Sequence, residues 1–259
     1  MNSKLGILLF LLALNGPAVA QFYIGPKIGF AAYKSRFNFP EDEELFDQKW
    51  KISYQIGVGF DMPLENIFHF YTELYYSQKG KKTFIVESGI TNNATYSFIE
   101  APIMLRMSFD GSKAETGRYN WHIDIGPTIG YWLGGSGTLQ ADGPKATYKI
   151  VFGESDGSNT LGTTMFITEA NRWQWGLNLG VGIEYPVIQQ QSVLIDLRLG
   201  LGGTHLASDN GQANLPVLGF ADSMSVSFLE ILLSATYVFE IDYGQTRKGK
   251  STIKKRKQN

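Results

Sequence analysis

The chain predicts an all-β fold, an antiparallel up-and-down transmembrane β-barrel. Three observations carry that expectation: strict apolar/polar alternation repeated along the chain, an export signal at the N-terminus, and connections that alternate between short and long. The final run, Leu229, Ile231, Leu233, Ala235, Tyr237 and Phe239, places an apolar side chain at every second position. Seven segments upstream read the same way. Successive strand residues point to opposite faces, so each segment has one face for lipid and one for a polar interior.

Residues 1–20 carry Lys4, an apolar run from Leu5 to Leu14, and Ala18-Val19-Ala20 ahead of Gln21, the form of a cleaved secretory signal. No later stretch approaches the ~20 apolar residues of a membrane-spanning helix. Strands must therefore carry any membrane insertion, because only helices and closed barrels satisfy their backbone hydrogen bonds in hydrocarbon. A soluble β-sandwich is the competing all-β reading. The expected organisation is a signal peptide over 1–20, a barrel over 21–243 and a basic tail over 244–259.

The absence of cysteine removes disulfides, thiol catalysis and cysteine metal sites. The net charge of −1 conceals a split, since residues 247–259 hold seven basic residues and no acidic one. With these and Lys4 set aside, 15 basic residues face 24 acidic ones, a balance that excludes a nucleic-acid binder by composition.

The first strand sets Phe22, Ile24, Ile28 and Phe30 against Tyr23, Gly25, Lys27 and Gly29. The second sets Ile52, Tyr54, Ile56, Val58 and Phe60 against Lys51, Ser53, Gln55, Gly57 and Gly59, and the third sets Phe68, Phe70, Thr72, Leu74 and Tyr76 against His69, Tyr71, Glu73 and Tyr75. In the fourth, Ile99, Ala101, Ile103 and Leu105 oppose Glu100, Pro102, Met104 and Arg106; in the fifth, Trp121, Ile123, Ile125 and Ile129 oppose His122, Asp124, Gly126 and Thr128. The sixth alternates Trp173, Trp175, Leu177, Leu179, Val181 and Ile183 with Gln174, Gly176, Asn178, Gly180, Gly182 and Glu184. The seventh alternates Val193, Ile195, Leu197 and Leu199 with Asp196, Arg198 and Gly200. Aromatic residues near strand ends, such as Phe22, Phe60, Trp121, Tyr131, Trp173, Tyr185 and Phe239, suit two interfacial girdles.

Short links near 62–66, 110–118 and 186–192 alternate with long ones near 35–50, 81–95, 134–171 and 203–224. That order puts both termini in the periplasm and gives eight strands. Within the third long link, Tyr148–Phe152 and Thr163–Thr168 read as a hairpin above the membrane; if they spanned instead, the barrel would have ten strands.

Glu73-Leu74-Tyr75-Tyr76-Ser77-Gln78-Lys79-Gly80, Phe98-Ile99-Glu100-Ala101-Pro102 and the Gly126-Pro127 and Gly130-Tyr131 pairs resemble the PorT-like outer-membrane β-barrel family of Bacteroidota over nearly the whole mature chain. The resemblance implies an outer-membrane barrel and an association with protein secretion. The basic tail and the long third link depart from the simplest members.

The inward parity collects Lys27, Lys51, Glu73, Glu100, Arg106, Asp124, Glu184, Asp196, Arg198 and Glu230. A structural network of ion pairs filling the lumen is the expectation, because buried charges are paired and eight strands enclose a core that side chains fill. A narrow polar conduit is the alternative. His122 with Asp124, and His69 with Tyr71 and Glu73, could each be imagined as acid/base groups. His205, Ser208 and Asp209 form the one outer-rim lead for a lipid- or peptide-processing enzyme. Glu41-Asp42-Glu43-Glu44 reads as a solvated acidic loop. With no phosphate loop, metal spacing or nucleotide fingerprint, no cofactor, metal site or catalytic residue is expected. The chain thus reads as a non-enzymatic outer-membrane protein with a structural or interaction role. Its expected partners are outer-membrane lipid and proteins met through the external loops or the basic tail.

Overall fold

The computed structural model describes residues 21–85, 89–111, 119–140, 145–153, 164–188, 191–208, 212–215 and 220–242. The segment 1–20 expected to be a signal peptide, the basic tail and Asp209 lie outside them. Eight long strands close on themselves: β1 (Gln21–Phe37), β3 (Lys51–Pro63), β4 (Phe68–Ile85), β5 (Ile90–Asp110), β6 (Asn120–Gln140), β9 (Trp173–Ile188), β10 (Gln191–Gly202) and β13 (Val226–Asp242). Every neighbouring pair is antiparallel, and β13 returns to β1 with Lys27 opposite Thr236 and Phe30 opposite Leu233. Closure leaves no unpaired edge within the ring, the condition for crossing hydrocarbon.

Outward residues form an apolar belt: Ile28 and Phe30 on β1, Ile56 and Val58 on β3, Leu177, Leu179 and Val181 on β9, Leu197 and Leu199 on β10 are all exposed. Aromatic contacts bound it at both rims. At the end with short turns these are Phe22 with Phe60 (5.2 Å), Phe109 with Trp121 (4.3 Å) and Tyr119 with Tyr185 (6.1 Å). At the loop end they are Tyr131 with Trp173 (5.0 Å) and Tyr54 with Tyr76 (6.5 Å). The short turn between β3 and β4 is closed by Asn66 at φ 55, a left-handed position that asparagine tolerates.

The loop end is more regular than the alternation suggested. Residues 81–85 and 90–95 are strand and not loop: β4 and β5 continue through them, with Lys81 opposite Ala94 and Ile85 opposite Ile90. β6 likewise continues to Gln140. Short strands widen this protruding sheet, β2 (Phe46–Lys49) against β4 and β7 (Ala146–Phe152) against β6. β8 (Thr164–Ile167) then lies parallel to β7, with Lys149 opposite Thr164. The two segments of the third link are thus neighbours above the ring, as expected, but not a hairpin; a hairpin would make them antiparallel. A helix, α1 (Pro40–Leu45), starts with Pro40 and places Glu41, Asp42 and Glu43 in its first turn, where the helix dipole favours acidic groups. A separate hairpin of β11 (Gln212–Leu215) and β12 (Phe220–Ser223) completes the loop end.

The protruding part has its own core. Tyr33, Phe37, Phe46, Tyr96, Phe98, Trp132, Leu139, Tyr148, Ile150, Met165, Ile167, Leu206, Met224, Val226 and Phe228 pack into one buried apolar cluster.

Candidate functional site

The lumen between the two girdles is a candidate site because it holds nearly all of the buried charge. In the half nearer the short turns, Arg106 on β5 ties four strands together. Its Nε and Nη2 donate to Asp124 Oδ1 and Oδ2 at 2.8 and 2.9 Å, and its Nη1 donates to Asp61 Oδ2 at 2.9 Å. Asp196 Oδ1 lies 3.4 Å from Nη2 and 2.7 Å from His122 Nε2, and the guanidinium sits 3.7 Å above the Tyr71 ring. His69 Nδ1 meets Asp61 Oδ1 at 2.8 Å. Gly182 makes room for this layer, since a Cβ there would stand 2.4 Å from His122 Nε2.

A second layer lies above it. Glu73 on β4 accepts from Lys27 on β1 at 2.5 Å, and from Arg198 on β10 through two bonds of 3.0 and 2.7 Å. The bidentate fork is the geometry that makes arginine–carboxylate pairs directional. Further toward the loop end, Glu100 accepts from Ser77 at 2.5 Å and pairs with Lys79 at 2.7 Å, while Glu230 accepts from Gln55 at 2.5 Å. A cavity of about 30 Å³ lies between Lys79, Glu100 and Glu230 and the glycine-lined wall of β9 and β10, room for about one water molecule. Beyond it stand Phe98, Trp132, Tyr96 and Phe228, whose rings contact one another in a chain.

One polar cluster sits inside the apolar loop-end core. Lys81 Nζ donates to Asp222 Oδ1 and to the Ser223 carbonyl at 2.5 and 2.6 Å, Asn92 donates to Asp222 Oδ2 at 2.9 Å, and Tyr148 donates to Asn92 at 2.8 Å. Burial, with the Asp222 charge nearby, pushes the Tyr148 phenol well above its ordinary pKa, which keeps it a neutral donor. Ser223 in turn donates to Asp42 at 2.6 Å, so α1, the last long loop and the protruding strands are tied at one point.

Of the lumen residues read from sequence, Lys27, Glu73, Glu100, Arg106, Asp124, Asp196, Arg198 and Glu230 are buried and engaged. Glu184 is different: it is half-exposed at the short-turn rim and accepts from Asn120 at 3.4 Å. Lys51 does not face the lumen; its ammonium crosses β4 to the Ala94 carbonyl and the Thr95 hydroxyl. The cause is a one-residue slip. Lys49 pairs with Lys82 above and Gln55 with Ser77 below, which is out of step by one residue and reverses the face, as a bulge does. Asp61, Lys79, Lys81 and Asp222 were missed. Lys79 and Lys81 share the parity of Glu73 and Ser77, so extending the third strand past Gly80 would have found them.

His122, Asp124 and Asp196 offer three ligand atoms within 4.8 Å of one another, but Arg106 already occupies both carboxylates, and its positive charge disfavours a metal ion there. Of the outer-rim trio, Ser208 is bonded to Glu169, and the His205 carbonyl accepts from Asn171 and Gln174.

A closed ring of eight antiparallel strands, apolar outside and ion-paired within, defines a small outer-membrane β-barrel. The chain belongs to the outer membrane protein beta-barrel domain family, whose model matches residues 17–207. Among solved structures it is similar to the outer membrane protein OprG from Pseudomonas aeruginosa (8% identity, TM-score 0.48, 86% of this chain and 97% of that one). It is also similar to the attachment invasion locus protein Ail of Yersinia pestis in complex with the heparin analogue sucrose octasulfate (11% identity, TM-score 0.35, 84% and 99%) and to Neisserial surface protein A (9% identity, TM-score 0.36, 86% and 97%). No curated protein matches the chain.

Proposed function

We propose that this chain is a sealed outer-membrane barrel with a structural or protein-interaction role, and that neither catalysis nor solute passage is its task. One observation carries the reading: the Arg106 and Glu73 ion-pair layers join opposite walls of the ring, and an aromatic layer around Trp132 and Phe98 stands above them. Passage would require breaking bidentate pairs in a site shielded from water, which costs several kcal/mol for each pair. The bonds that Ser208 makes to Glu169 favour a structural rather than catalytic rim. The short-turn end and both termini face the periplasm in this reading, and the loop end with its own core is the external contact surface. The resemblance to the PorT-like family adds an accessory role in secretion, exercised through the loops or the basic tail.

Planar-bilayer recording of the purified, heat-modifiable barrel tests the proposal. The expected result is a silent bilayer. Stable, ion-selective steps from the wild-type protein would overturn the sealed reading and establish a narrow channel.

A further inference from the structure

Above the loop-end girdle, register places two rows of side chains on the outer face of the protruding sheet. The upper row runs Lys49, Lys82, Asn93, Thr138 and Thr147 across β2, β4, β5, β6 and β7. The lower runs Gly80, Thr95, Ser136, Lys149 and Thr164 across β4, β5, β6, β7 and β8. Residues opposite each other in adjacent strands lie about 4.5–5.5 Å apart and share a face. Neither row contains a carboxylate. Lys51 fills the place left by Gly80: a Cβ at Gly80 would stand 2.3 Å from the Lys51 side chain, so glycine lets that chain lie across β4 toward Thr95.

Among the described residues, Lys51, Lys82 and Lys149 form no ion pair, whereas Lys49 lies 3.8 Å from Asp47. Lys51 and Lys82 are close enough to repel, and burial together with the Lys82 charge lowers Lys51 to about 8. Like charges crowded without a counter-charge are costly for a structural surface and apt for an anion. Between Lys51 and Lys149 lies a recess of about 500 Å³, lined also by Asn93, Thr95, Ser136 and Thr147, and Lys82 stands next to it, opposite Asn93. Ammonium groups suit phosphate as point charges, and the flanking hydroxyl and amide groups can both donate to and accept from sugar hydroxyls. The rows begin four to six residues beyond Tyr76, about 13–20 Å along the strand, at the height of a headgroup that carries several sugars.

The geometry points to a binding site for a phosphorylated saccharide, supplied by the lipid-linked glycan of the outer leaflet, on the outer face formed by Lys51, Lys82, Lys149, Asn93, Thr95, Ser136 and Thr138. The assignment to that leaflet rests on the orientation given under the proposed function.

Titration of the purified full chain, refolded in detergent, with lipopolysaccharide before and after enzymatic dephosphorylation tests it. The wild type should lose about tenfold in affinity when phosphate is removed. Lys82→Glu/Lys149→Glu should lose about tenfold for the intact glycolipid while keeping its heat-modifiable gel mobility. Lys34→Glu, which reverses an outward lysine on β1 that belongs to neither row and does not line the recess, should bind like the wild type. Equal binding by wild type and double variant, indifference to phosphate, an equal loss in Lys34→Glu, or equal affinity for a soluble sugar phosphate would each overturn the site. Orientation is read separately by labelling Thr147→Cys in intact cells with a membrane-impermeant maleimide, in a chain with no other cysteine. Failure to label sinks the orientation, whereas the detergent titration stands or falls without it.

Discussion

Along the same strands, the interior of the barrel is ionic between the girdles and apolar beyond them. β5 shows the change within a few residues. Below Phe98 its inner side chains are Glu100, Met104 and Arg106 and its outer ones Ile99, Ile103 and Leu105; from Phe98 upward the inner ones are Ala94, Tyr96 and Phe98 and the outer ones Asn93, Thr95 and Ser97. β6 does the same, passing from inner His122, Asp124 and Thr128 to inner Trp132 and Leu139, with Ser136 and Thr138 outside. On β5 the period of two is kept while the polarity of its two faces inverts; on β6 Leu133 is an extra residue between the Trp132–Phe98 and Gly134–Ser97 pairs, so the inward side also passes from even to odd positions. Lipid demands apolar residues outside, which leaves the interior to groups that must satisfy one another. Once the wall rises into water, the outer face turns polar and the interior becomes an ordinary hydrophobic core. The inversion point is therefore a marker of the membrane boundary, and it falls beside the Tyr54–Tyr76 and Tyr131–Trp173 contacts.

Removing Arg106 should break this division most severely. Arg106→Ala leaves Asp61, Asp124 and Asp196 crowded and buried without their shared guanidinium, for a loss of about 5 kcal/mol. The temperature at which the folded gel band disappears should fall sharply, with no new conductance if the upper core still seals the barrel. Trp132→Ala attacks the other half by leaving a cavity among Tyr96, Phe98 and Phe152, at about 4 kcal/mol. Its loss should be the same at low and high salt, because no charge is involved. Asp222→Ala strands the buried Lys81 ammonium inside the apolar half and should cost about 3 kcal/mol. Faster hydrogen exchange should be confined to the loop end, and an equal speeding of the strands between the girdles would show that the two halves fold as one unit. Ser77→Ala removes one of the two bonds to Glu100 while Lys79 remains, so the shift in thermal midpoint should correspond to only about 1 kcal/mol.

Much of this was legible in the chain. Eight amphipathic segments, their outward faces and eight of the nine lumen groups follow from parity, and the Lys27, Glu73 and Arg198 side chains could be assigned to the interior before any of them had a partner. Glu184 was misjudged because parity gives a face and not a depth: it shares the inward parity yet sits at the rim. The strand extensions over 81–85 and 90–95 were hidden by the inversion itself. A reading that expects apolar residues outside ends the strand where they move inside, although Lys81, Thr83, Asn92 and Ala94 keep the alternation.

What the sequence by itself determined is the local part of the structure: the side to which each residue points relative to its neighbours, the length of each crossing and the aromatic rims, all properties of a few consecutive residues. Tertiary structure alone decided which charges meet across the lumen, where β3 slips by one residue and turns Lys51 outward, and that β7 and β8 run parallel. Lys27 and Glu73 are 46 positions apart, and Glu73 and Arg198 are 125 apart. Bringing them to one height depends on the tilt and stagger that closing the barrel imposes on all eight strands together, and no single segment encodes that.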